Sequence, residues 1–248
     1  MKDASPEECL GYLLKAKHHF DDGLTGRDFL TSSISKDFVT DGGGLEEKFD
    51  AVMSEKEATR YLRTVNLQIE VSSFAVKEPK FREDNPPTLF AGGKKRIEIC
   101  VKLLLLDNFD LAFKIMQEYR LNPVEIYVHA ARAMARQKQV NRLTELFKNI
   151  KSLVNDDDWD KVLEAVVYVF CREVQDIKLA EKFMPMINGD ANKINAFIIS
   201  GKLRNAYLHA IKVQRYSDIE KIRQEAIRTQ QNAVVQLCDK FLSTQQES

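Results

Sequence analysis

Apolar residues recur three and four positions apart through most of this chain. Residues 96–121 read RIEICVKLLLLDNFDLAFKIMQEYRL. Here Ile97, Val101, Leu104 and Leu105 take the spacing of one helix face. Asp107-Asn108 interrupts the pattern, and a second stripe follows at Leu111, Ala112, Ile115, Met116 and Tyr119. The spacing predicts two helices folded back on each other across a very short turn. Similar units continue toward the C-terminus. Asn122-Pro123 places an N-cap before a proline at the first helical position, which opens a helix over 124–136. Further helices are predicted over 140–154, 156–174, 177–187, 190–199, 202–214, 217–229 and 231–242.

The N-terminal part is less regular. Ser5-Pro6 opens a helix to about Asp21, with Leu10, Leu13, Leu14, Ala16 and Phe20 on its apolar face and Gly23 at its end. A short helix over 27–34, a break at Gly42-Gly43-Gly44 and a helix starting at Leu45 follow. Ser54-Glu55-Lys56-Glu57 has the form of a capping box, opening a helix with Ala58, Tyr61, Leu62, Val65 and Ile69. Leu67, Ile69 and Val71 also alternate as a strand would, and the helical reading is preferred. Residues 77–95, KEPKFREDNPPTLFAGGKK, hold three prolines and two glycines without periodicity. The resulting division is an N-terminal helical segment (1–75), a flexible linker (76–95), an all-α solenoid of stacked antiparallel hairpins (96–243) and a tail (244–248).

Composition narrows the function classes. Lys+Arg and Asp+Glu both number 37, so no net charge draws the chain to nucleic acid. With 10 Gly and 6 Pro among 248 residues, tight turns are too few for a β-sandwich or barrel. The four cysteines, at 9, 100, 171 and 238, form no CxxC pair; buried thiols and a reducing compartment are expected. The N-terminus lacks an apolar signal core, and no run approaches the length of a spanning helix.

The candidate chemistry is thin. His18 and His19 point about 100° apart on a helix, poor geometry for one metal ion. His129 and His209 lack a nucleophile at a suggestive spacing. Gly92-Gly93-Lys94-Lys95-Arg96 can hold a phosphate or acidic peptide at a helix start, or be a solvated turn. No catalytic, metal or cofactor constellation emerges, and no enzyme is expected. The densest charge lies in 132–151, where Arg132, Arg136, Lys138, Arg142, Lys148 and Lys151 face one acid, Glu145. This is either a solvated face or a basic stripe for an acidic partner or anionic headgroups. Trp159 sits among Asp156, Asp157, Asp158 and Asp160. It is either an exposed anchor for a partner or a residue packed on the preceding helix. The candidate partner-binding set is therefore Arg132, Arg136, Arg142, Lys148, Lys151 and Trp159.

Two helix starts are alike: Asn108-Phe-Asp-Leu-Ala-Phe and Gly201-Lys-Leu-Arg-Asn-Ala-Tyr. Each sets an alanine (Ala112, Ala206) before an aromatic (Phe113, Tyr207), as in a divergent helical-repeat array. The fixed 34-residue tetratricopeptide consensus is not matched.

Longer blocks carry a family resemblance. They are residues 57–63 (EATRYLR), the 96–121 hairpin, 143–151 (LTELFKNIK), 156–163 (DDDWDKVL) and 201–208 (GKLRNAYL). Together they resemble the C-terminal helical region of the spastizin family, large α-solenoid FYVE-domain proteins of the centrosome. The resemblance implies work with spatacsin and the fifth adaptor-protein complex at late endosomes and lysosomes. It also implies roles in autophagic lysosome re-formation and in cytokinesis at the centrosome or midbody. A cytoplasmic chain, peripheral to those membranes, is expected. The family binds phosphatidylinositol 3-phosphate through a zinc-stabilised FYVE finger, and this sequence has no such cysteine spacing, so neither lipid nor zinc passes to any residue here. The chain is expected to be a fragment or a short product of such a protein. A clathrin-like or tethering-type coat subunit is the alternative reading.

Overall fold

Helical periodicity becomes helix wherever the structure, a computed structural model, describes the chain: residues 6–25, 55–81 and 87–246. The expected helices over 27–34 and from Leu45, the Gly42–Gly44 break and Ser54 of the capping box lie outside the described residues. The described residues form α1 (Pro6–Thr25), α2 (Glu55–Lys77), α3 (Gly93–Leu105), α4 (Phe109–Glu118), α5 (Pro123–Arg136) and α6 (Val140–Ile150). Then come α7 (Asp156–Tyr168), α8 (Ile177–Phe183), α9 (Asp190–Ile199), α10 (Leu203–Lys212), α11 (Ser217–Arg228) and α12 (Asn232–Gln246). No strand occurs among the described residues. The fold is all-α and built from helical hairpins. The chain divides into two compact units, Met1–Leu121 and Asn122–Ser248.

In the first unit α1 packs along α2, and α3 pairs with α4. α1 runs on past Gly23 to Thr25. Helix α2 continues through Leu67, Ile69 and Val71, so the strand-like alternation there is helical, with Val71 fully buried. The stretch read as linker contains two short 3-10 helices, Pro79–Phe81 and Leu89–Ala91, whose Phe81 and Leu89 are buried. Buried Gln68 explains the order around Leu89. Its Nε2 donates to the Pro87 carbonyl at 2.8 Å, and its Oε1 accepts from the Leu89 amide at 2.6 Å. Arg96 Nε donates to the Leu89 carbonyl at 2.7 Å, while its guanidinium lies 3.9 Å from the Tyr119 ring centre. Tyr119 in turn donates to Thr64 Oγ1 at 3.1 Å, so one polar network joins α2, residues 87–91, α3 and the end of α4.

The buried stripe of α4 is the expected one, Leu111, Ala112, Ile115 and Met116. That of α3 differs. Ile99, Cys100, Leu103 and Leu104 are buried, while Ile97, Val101 and Leu105 are only partly covered. Helix α3 packs on the Leu89 turn as well as on α4, which rotates its covered arc. Burial pushes the Cys100 thiol up to about 12, so it stays protonated.

In the second unit the hairpins are α5–α6, α7–α8, α9–α10 and α11–α12, each stacked on the next as a helical solenoid. Their first helices begin at residues 123, 156, 190 and 217, steps of 33, 34 and 27. The first two steps have the length of a tetratricopeptide repeat, and the last is a shortened one. A chain of aromatic rings forms the core between hairpins: Phe147 lies 5.4 Å from Trp159 and 5.6 Å from Phe183, and Phe183 stacks on Phe170 at 5.7 Å. The helix expected over 156–174 is regular only to Tyr168. A π-turn, Val169–Glu173, follows, closed by a Val174 amide to Val169 carbonyl bond of 2.9 Å.

The corners share one device. Asp107, Arg120, Lys138, Gly201, Gln214 and Gln230 all take positive φ, between 50° and 74°. At each, the next amide reaches the carbonyl five residues back, as in Asn108 to Leu103 and Gln231 to Ala226, both 2.9 Å. This is the Schellman closure, which satisfies the last carbonyls of a helix while reversing the chain. Asn108 and Asn122 then cap the next helix by accepting from Leu111 and Val124.

Candidate interaction surface

The expected basic stripe does not assemble as one face. On α5, Arg132 and Arg136 are four residues apart and share the outward side. Arg136 is occupied: its Nε and Nη2 donate to the two carboxylate oxygens of Glu173 at 2.6 and 3.3 Å. The hydrogen bond from Arg136 holds the Glu173 carboxyl below its ordinary range. Lys138 lies 3.5 Å from Asp176. Both acids come from the segment after α7, more than thirty residues on, so the local count of charges in the sequence did not include them. Arg132 keeps a buried Nε with no hydrogen-bond partner among the described residues.

Arg142 on α6 and Lys151 at its C-cap are nine residues apart, which at 100° per residue sets them on opposite flanks. Lys148 stands between them on the outward side, exposed, and pairs loosely with Glu145 at 3.6 Å. Lys151 is exposed, with its Nζ 6.0 Å from the centre of the Trp159 ring. Lys148 and Lys151, on α6 and just past its end, are exposed, whereas Arg132 and Arg142 are half-buried.

Trp159 is not a surface anchor. It is 4 % exposed, packs edge-on against Phe147 of the preceding helix, and donates from Nε1 to the Met186 carbonyl at 3.0 Å. Three aspartates precede it at the N-terminus of α7, where Asn155 caps by accepting from the Asp158 amide at 2.8 Å. Asp158 pairs with Lys161 at 2.7 Å, and Asp156 accepts from Asn188 Nδ2 at 3.0 Å. Asp160, 1 % exposed, is turned inward onto the start of α9. Three of the four aspartates are therefore engaged within the unit.

A second polar row, on the first helices of the hairpins, has no local signal in the sequence. Half-buried Glu164 of α7 is pushed up chiefly by burial, opposed by the Lys221 charge and a hydrogen bond with Asn195. Lys221 of α11 donates to Asn195 Oδ1 of α9. Nearby, Arg172 reaches Glu225 at 3.2 Å. These residues are dispersed in sequence, and only hairpin stacking aligns them. In the first unit a groove between α2 and α4 is lined by Ile69, Phe74 and Leu111 and bridged by the 2.8 Å Lys114–Glu70 pair. Among the described residues no group of three His, Cys, Asp or Glu side chains converges as metal ligands would. None of the described helices is long and apolar enough to cross a membrane. His209 pairs with Asp190 at 2.9 Å, and His18 and His19 lie with ring centres 6.4 Å apart.

Comparison with known proteins agrees with the hairpin geometry. Residues 122–243 match the family described as ZFYVE26-like, TPR repeats. The chain is 27 % identical over 253 residues to human zinc finger FYVE domain-containing protein 26, spastizin, covering 96 % of this chain and 10 % of the relative. The bovine form is likewise 27 % identical over 252 residues. Protein DDB_G0276689 of Dictyostelium discoideum is 31 % identical over 196 residues, covering 77 % of this chain and 7 % of that protein. The chain thus spans about a tenth or less of the length of these relatives. No solved structure matches it.

Proposed function

We propose that this chain, which belongs through residues 122–243 to the ZFYVE26-like TPR-repeat family, is a non-catalytic protein-interaction scaffold of endosome and lysosome trafficking. The observation that carries the reading is the run of four stacked hairpins coinciding with that family match. Stacked hairpins give extended surfaces well suited to holding other proteins. Following the resemblance to the spastizin family, the partners are spatacsin and the fifth adaptor-protein complex. The setting is the cytoplasmic side of late endosomes and lysosomes, with service in autophagic lysosome re-formation and in cytokinesis at the centrosome or midbody.

The docking surface is the outward side of α6, where Lys148 and Lys151 are exposed, bordered by half-buried Arg142 and by Arg132 and Arg136 on α5. Cations so placed steer an acidic partner and set the association rate more than the final affinity. The experiment presents purified spatacsin and the purified adaptor complex to the immobilised chain. Binding is expected with one or both, slowed by Lys148→Glu with Lys151→Glu and made less sensitive to salt. A correctly folded chain that retains neither protein sinks the partner assignment. Binding indifferent to both reversals removes the basic surface.

A further inference from the structure

Residues 88–95 join an exposed aromatic, small uncharged residues and lysines on a fixed backbone. Leu89 is fully buried and anchors the turn. Its amide and carbonyl are both held, by Gln68 and Arg96. Phe90 donates its amide to Thr88 Oγ1 at 3.3 Å. Held from both sides, the turn directs Phe90 outward, 48 % exposed, with Ala91 and Gly93 exposed beside it. A methyl group placed on Gly92 or Gly93 meets no atom within 4 Å, so these two positions face open space.

The sequence flanking this tip is positive. Residues 77–96 carry six Lys and Arg against three carboxylates. Lys94 is exposed and has no ion-pair partner among the described residues, and Lys95 pairs at 2.9 Å with Glu98. Glu98 is held below its ordinary range, first by the hydrogen bond from Lys95 and further by the charges of Lys95, Lys94 and Lys102.

We propose that this turn is a contact point for a bilayer surface carrying anionic phospholipid, with Phe90 entering the boundary between headgroups and acyl chains and Lys94 and Lys95 meeting the headgroups. Phe90 is a lone aromatic, 48 % exposed, whereas a protein hot spot seats its aromatic in a broad, well-packed contact. A lone protruding aromatic flanked by lysines suits an interface that is apolar below and anionic above. A rigid turn also loses little freedom on docking. The site lies outside the solenoid surface proposed for protein partners and does not depend on it.

The test is co-sedimentation of the full chain with phosphatidylcholine vesicles, with and without phosphatidylserine. Retention is expected only with phosphatidylserine and should weaken as salt rises. Lys94→Glu with Lys95→Glu should lower it by at least about fivefold per residue changed. Phe90→Ser should lower it as well, while the circular dichroism spectrum and thermal midpoint stay those of the parent chain. No retention on anionic vesicles at low salt overturns the proposal, as does retention that neither variant alters. Binding to soluble polyglutamate that Phe90→Ser leaves intact, without vesicle retention, overturns it in favour of an acidic protein partner.

Discussion

Asp160 Oδ2 accepts the backbone amide of Gly189 at 2.6 Å, while its Oδ1 accepts that of Asn188 at 2.8 Å. A third donor, Asn192 Nδ2, completes the set at 3.1 Å. The carboxylate of one repeat thus caps the first helix of the next, supplying a charge to amides that would otherwise be orphaned at the start of α9. Gly189 is required for the approach, because a Cβ there would lie 2.8 Å from Asp160 Oδ2. Asp160→Ala leaves several buried donors unsatisfied and is expected to cost about 2–4 kcal/mol. Gly189→Ala should destabilise through the clash alone. Because both changes break one contact, the double variant should cost clearly less than the two singles added. Urea unfolding followed by Trp159 fluorescence measures all three. Additive losses would show that the two residues act separately.

Five of the six Schellman corners place a residue with a Cβ in the left-handed region. That conformation costs an L-residue about 1–2 kcal/mol relative to glycine, part of which glycine returns as extra freedom in the unfolded chain. Gln230 has φ +58° and is exposed at the α11–α12 corner. Gln230→Gly is therefore expected to stabilise by about 0.5–1 kcal/mol. Differential scanning calorimetry should register a higher midpoint. A lower one would mean that the backbone penalty is already relieved at this corner.

How far the sequence discloses this structure depends on the distance over which each feature is encoded. The α4 stripe from Leu111 to Met116 and the Asn122-Pro123 start are local signals, and they appear as written. Residues around Leu89 read as linker because the order there comes from Gln68, some twenty residues earlier. Trp159 among aspartates reads either as an exposed anchor or as packed on the preceding helix, and the contacts that decide for packing, Phe147 and the Met186 carbonyl, lie twelve residues before it and twenty-seven after. The basic window lost its unity for the same reason, since the acids that engage Arg136 and Lys138 lie beyond α7. Corners closed by Asp, Arg, Lys and Gln in place of glycine left the repeat phase unmarked.

Leu104 tests the core of the first unit. It is fully buried on α3, and it belongs both to the stripe read from spacing and to the one observed. Truncation to alanine opens a cavity between packed helices, which costs about 2–5 kcal/mol depending on how far the site collapses. Neighbouring Leu105, only partly covered, should lose much less on the same change. Chemical denaturation of the two variants checks the difference. Equal losses would show that the covered arc of α3 is the wider one suggested by the sequence.

The pH dependence of the second unit should carry the mark of Glu225. This side chain accepts from Arg228 Nε at 2.7 Å and from Arg172 Nη2 at 3.2 Å, joining α11 to the π-turn after α7. The hydrogen bond from Arg228 leads the causes that lower its pKa, and that from Arg172 adds to it. Its folded value thus lies below the unfolded value of about 4.3. The stability it contributes is complete above the unfolded value and is lost as pH falls through the folded one. Solvent screening limits the contribution to less than about 1 kcal/mol. Glu225→Gln should therefore be slightly less stable than the parent at neutral pH and equal to it in acid. A gap that stays constant from neutral to acid pH would assign the loss to packing. Arg172→Gln should reproduce part of the same convergence, because the extra residue of the π-turn turns Arg172 toward α11 while Glu173 faces Arg136 on α5.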